Sequence, residues 1–142
     1  MLKIYSKIIP ELLLHTVYRM DDVISREEER IDISPNEEFL QVASLRLPKG
    51  KTFKPHRHIF QKREINITQE SWAIISGKVR AILYDIDNTI IETVILEAGD
   101  CSITYGSGSL AGGHTYECIE DAVVLETKNG PYMDTAHDKV FI

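Results

Sequence analysis

Cysteine is scarce in this chain: Cys101 and Cys118 are the only two. Two thiols cannot build a disulfide framework, so stability has to come from a packed core, and free thiols in a cytoplasmic setting are expected. Long hydrophobic runs are missing too. The most apolar N-terminal stretch, residues 8–20, is broken by Pro10, Glu11, His15 and Arg19 and carries no small-residue cleavage pattern. Neither a spanning helix nor a signal peptide is expected from it. There is no internal repeat and no low-complexity tract. No charge run is basic, and 16 Lys and Arg stand against 22 Asp and Glu, a net charge of -6. That balance argues against nucleic acid or an acidic membrane as partner.

What is present suits one domain. A chain of 142 residues, 43% hydrophobic and 27% charged, can bury one core. The strongest local pattern is alternation. Val79, Ala81 and Leu83 alternate with Arg80, Ile82 and Tyr84; Cys101, Ile103 and Tyr105 alternate with Ser102 and Thr104. A period of two with β-branched and aromatic residues reads as strand. Turn chemistry separates the runs, at Ser76-Gly77-Lys78, Asp85-Ile86-Asp87-Asn88, Ala98-Gly99-Asp100 and Asn129-Gly130-Pro131. The reading predicts strands over 40–47, 53–59, 71–76, 78–85, 90–97, 101–105, 114–119 and 122–128. Many short strands at close spacing predict an all-β fold, a jelly-roll β-barrel. Residues 1–35 are read as an arm packed on a barrel domain of residues 36–142. Within the arm, 3–9 and 12–18 fit strand or helix equally, and Ser25-Arg26-Glu27-Glu28 fits a capping box for a helical turn near 25–30.

The chemistry concentrates in a few positions. His56 and His58 flank Arg57, and in an extended segment they share a face. Imidazole is the commonest metal ligand near neutral pH. Glu70 opens a later run in which Glu70, Trp72 and Ile74 share a face, and His114 follows Gly112-Gly113. Three imidazoles and one carboxylate, His56, His58, Glu70 and His114, suit one divalent transition metal ion (Fe, Mn, Ni or Zn) with open positions for water or a chelating ligand. Tyr116 and Cys118 fall on the same face as His114 if that segment is extended. Tyr116 is then a candidate for orienting substrate or for acid–base work, and Cys118 is read as a small buried hydrophobe. His15 and His137 fit no motif and are read as surface or packing residues.

These spacings resemble the cupin superfamily. Its first motif, G-x5-H-x-H-x(3,4)-E-x6-G, is met by Gly50, His56, His58, Glu70 and Gly77, and the histidine of its second motif by His114. The resemblance spans residues 45–128 and implies a small β-barrel with all four ligands on one metal. The chain departs from the motif after His58, where eleven residues, Ile59 to Gln69, replace three or four. Glu64 lies nearer the usual spacing and is a rival ligand or acid–base residue, but only Glu70 has its glycine seven positions on. A weaker likeness, over residues 125–132 with Asp138 and Lys139, is to small cupin metalloproteins associated with bacterial surface-polysaccharide biosynthesis.

The resemblance implies a metal-dependent enzyme acting on a small polar molecule such as a sugar derivative, by isomerase- or epimerase-type Lewis-acid chemistry. An Fe(II)-dependent dioxygenase, a non-catalytic metal or small-ligand binding module, and a metal-free sugar-nucleotide epimerase are the alternatives. A homodimer is the expected assembly.

Overall fold

The structure, a computed structural model, describes residues 1–25, 27–107, 110–131 and 135–142. The chain is all-β. In order it forms β1 (Leu2–Tyr5), β2 (Leu13–Tyr18), a short helix α1 (Met20–Ile24), β3 (Arg30–Asp32) and β4 (Ala43–Leu45). After a long stretch without regular structure come β5 (Glu70–Ser76), β6 (Lys78–Tyr84), β7 (Ile90–Glu97) and β8 (Cys101–Thr104). The chain ends with β9 (Gly106–Ser107), β10 (Leu110–Ala111), β11 (Gly113–Cys118), β12 (Val123–Lys128) and a helical turn α2 (Thr135–Asp138). Among the described residues no helix is long and apolar enough to cross a membrane.

All pairing is antiparallel. One sheet has the order β1-β2-β8-β5-β12 and a second the order β11-β6-β7, with β3–β4 and β9–β10 as separate ribbons. No ladder joins the two larger sheets among the described residues. Side chains join them instead. Ile4, Val17 and Ile74 of the first sheet pack with Val79, Ala81, Leu83, Val94 and Leu96 of the second. The alternation read in β6 places Val79, Ala81 and Leu83 in this layer, all fully buried. The opposite face of the first sheet is covered in part by Ile33, Leu40 and Val42, which pack on Tyr18, Cys101, Ile103 and Tyr105.

Polar clamps cross between the sheets. Ser6 Oγ donates to Asp85 Oδ1 at 2.6 Å, and the Lys7 amide donates to Oδ2 at 2.6 Å. At the other end Arg19 reaches the Ile95 carbonyl and pairs with Asp100 at 2.7 Å. The β5–β6 turn demands Gly77, whose φ is +83° and whose missing Cβ would lie 2.0 Å from the Asp121 carbonyl oxygen.

Several expectations change here. The N-terminal stretch left open between strand and helix forms two strands, and β2 lies inside the sheet between β1 and β8 with five of its six residues buried. Among the described residues near 25–30 no helix is found: α1 ends at Ile24, and Ser25 Oγ donates back to the Asp21 and Asp22 carbonyls as a terminator rather than a cap. Arg26 of that motif lies outside the described residues. The strand expected at 53–59 does not form, and residues 51–69 hold no regular structure. A short segment between turns does not make a strand by itself, because each backbone N–H and C=O still needs a ladder partner; among the described residues no strand lies alongside, and Pro55 removes one donor.

Candidate functional site

β5 and β11 belong to different sheets, and each presents an i, i+2 pair to the space between them. β5 is started by Gln69, which is buried. Its Oε1 accepts from the Leu40 amide at 2.8 Å, its amide donates to Asn129 Oδ1 at 3.0 Å, and its side-chain NH2 donates to Glu38. Glu70 follows, 6% exposed. His114 Nε2 of β11 meets Glu70 Oε1 at 3.0 Å. Two residues on, Trp72 stacks on Tyr116 with centroids 3.9 Å apart and planes at 11°. The Trp72 Nε1–H donates to Glu70 Oε1 at 3.0 Å and lies 3.2 Å from Glu126 Oε2. The Tyr116 hydroxyl closes the column on Ser102 Oγ at 2.7 Å.

The electrostatics follow from this packing. Burial works to raise the Glu70 carboxyl, but the hydrogen bond and charge of His114, with Lys139 and Trp72, outweigh it and hold the group below its ordinary value. Glu70 is therefore an anion at neutral pH. Burial pushes the Tyr116 hydroxyl well up, so it stays a proton carrier. His114 Nδ1 is buried and has no hydrogen-bond partner. Only in the neutral tautomer that donates its Nε2–H to Glu70 would Nδ1 carry a free lone pair; a charged ring would present an N–H there.

The C-terminal stretch borders the same place. Lys128 pairs with Asp138 at 2.6 Å, Lys139 Nζ lies 3.8 Å from Glu70 Oε2, and the Ile142 side chain packs on Gly113. Sequence reasoning missed Lys139 and Ser102 as neighbours of the site, since nothing local in the chain marks a long-range contact. His15 is one of its walls. Its Nε2 is 3.0 Å from the Tyr84 carbonyl and its Nδ1 3.1 Å from Thr104 Oγ1. Burial lowers its pKa to about 4. A Cβ at Gly112 would lie 2.7 Å from this ring, which is why the residue beside the site is glycine.

The other predicted residues lie apart from this pair. His56 and His58 are exposed on the 51–69 segment, edge to face with centroids 5.4 Å apart, and His56 Nδ1 is 3.0 Å from the Lys54 carbonyl. Glu64 is exposed and pairs with Lys62 at 2.9 Å. Cys118 is exposed, not buried as its face suggested, because it stands at the end of β11 beyond the core. His137 is exposed on α2. Among the described residues no three His, Cys, Asp or Glu side chains gather as a metal-holding group. Glu70 and His114 thus come together, Glu64 does not join them, and the H-x-H pair is held outside. A cavity of about 840 Å³ separates residues 62–65 from residues 36–41, with Glu38 on its wall. No protein-family model, curated protein or solved structure matches the chain.

Proposed function

We propose that the protein binds a divalent transition metal at Glu70 and His114, with His56 and His58 as the remaining ligands, and acts on a small polar molecule such as a sugar derivative. The observation that carries this reading is the Glu70–His114 contact. A buried carboxylate meets an imidazole from another sheet at 3.0 Å. A carboxylate oxygen and an imidazole nitrogen are both divalent-metal donors, so this pair would hold a shared cation as well as a proton.

Closure of the 51–69 segment completes the set in this reading. The outer edge of β11 has no strand partner among the described residues, and Phe53, Ile59 and Phe60 are left in solvent. A strand formed near 53–59 along that edge would satisfy backbone groups, cover apolar surface and extend the second sheet toward a jelly-roll barrel. The eleven residues between His58 and Glu70 span up to about 36 Å, ample reach for it.

A metal in this position supplies a Lewis acid for a carbonyl or hydroxyl oxygen. The chain's own residues do the rest. Glu70 supplies negative charge, Trp72 fixes the carboxylate through its N–H, and Tyr116, held by Ser102, presents an aromatic wall and a retained proton.

Elemental analysis of purified, untagged protein tests the proposal. It predicts about one equivalent of Fe, Mn, Ni or Zn in the wild type and in Glu64→Gln, and loss in Glu70→Gln and His114→Ala. Less than about 0.1 equivalent after reconstitution would sink it. Oxygen uptake by an iron form would favour the dioxygenase reading instead.

A further inference from the structure

Net charge conceals a division of the chain. Seven of its 16 Lys and Arg residues, Arg46, Lys49, Lys51, Lys54, Arg57, Lys62 and Arg63, fall between 46 and 63, where there is no Asp or Glu. The other nine face all 22 acids. The structure adds that every residue from 45 to 66 is exposed. Lys51 is paired with Glu29 and Lys62 with Glu64, but Lys49, Lys54, Arg57 and Arg63 have no ion pair among the described residues. Large apolar side chains stand among these cations: Phe60 is 91% exposed, Ile59 77% and Phe53 57%. Such residues do not normally project bare beside one another.

We infer that residues 46–66 form a docking surface for a lipid bilayer carrying anionic headgroups. Unpaired cations draw the segment to a negative surface, and Phe53, Ile59 and Phe60 enter the interfacial layer. The same charges would attract nucleic acid, and two features favour the bilayer. Phe53 and Phe60 could stack on bases or enter a bilayer, whereas Ile59, 77% exposed, offers a base no stacking face and suits the bilayer alone. A nucleic-acid strand also needs a basic groove, whereas the cleft beside the segment sets Glu37, Glu38 and Glu64 against Lys62 and Arg63. The expectation of no membrane partner rested on net charge and on the lack of a continuous basic run; the seven cations between 46 and 63 form no such run, and both criteria pass over them.

The segment also carries His56 and His58, and closure onto β11 would cover Phe53, Ile59 and Phe60, so the docking surface belongs to the open segment and is tested without added metal. Its test is co-sedimentation of the full chain with phosphatidylcholine vesicles holding about 30% phosphatidylserine, beside pure phosphatidylcholine vesicles and a single-stranded oligonucleotide. Binding to the anionic vesicles only is expected, weakened about tenfold or more by half-molar salt. Lys54→Glu with Arg63→Glu should weaken it at least tenfold, and so should Ile59→Ser with Phe60→Ser, with melting temperatures unchanged because all four side chains are exposed. Absence of vesicle binding, oligonucleotide binding alone, or equal binding by both variants would overturn it.

Discussion

The inner faces of β5 and β11 and the segment that precedes β5 are built on opposite terms. Between the sheets nearly every group is used: Glu70 on His114, Trp72 on Tyr116, Tyr116 on Ser102, His15 on Thr104 and Tyr84. Across 45–66 the backbone has almost no partner and the side chains face water. The difference teaches where each half of the candidate site gets its order. Glu70 and His114 are fixed by the fold. His56 and His58 are fixed only by whatever the segment closes upon.

Breaking the inner side should cost most. Leu83→Ala removes a fully buried side chain from the layer between the sheets and should lower unfolding free energy by about 2–5 kcal/mol in a urea titration. A loss under about 1 kcal/mol would mean the layer is loosely packed.

Acid should break the same side through His15. Its pKa falls from an ordinary 6.5 to about 4 because burial opposes the charged ring. The unfolded chain binds that proton first, so stability is complete above pH 6.5 and declines as pH falls toward 4, by about 3 kcal/mol in all. Urea titrations of the wild type and His15→Asn across this range isolate the effect, since the variant should lack this part of the slope. Identical slopes would place His15 in contact with water.

Tyr116→Phe is a milder probe. It deletes one hydroxyl and leaves Ser102 Oγ without its partner, for a loss of about 1–2 kcal/mol with the Trp72 stack retained. On the outer side, Phe60→Ser should change stability by less than about 0.5 kcal/mol, because the ring touches little in the open segment. A larger loss would show that the segment is already closed in solution.

The same division explains what could be read from the chain. Period-two alternation marks which side chains share a face, so Val79, Ala81 and Leu83 were legible as core and Glu70 with Trp72 as neighbours. It does not name the strand's partner. That is why β2 inside the five-stranded sheet was not foreseen, and why 53–59, with no partner strand among the described residues and with Pro55 in it, fails to form a strand. The meeting of Glu70 with His114, forty-four positions apart, was legible because two motifs marked both ends. The approach of Lys139 carried no such mark. Charge was legible as a sum, and its concentration between 46 and 63 needed the exposure of that stretch before it meant anything.

The most direct test of the two-part site is amide hydrogen exchange across the whole chain, with and without saturating Mn(II) or Zn(II). One metal bound by Glu70, His114, His56 and His58 predicts strong slowing at 53–59 and along β11 together, lost in His58→Ala. Stoichiometric metal with exchange at 53–59 unchanged would contradict it and leave the histidine pair outside the site.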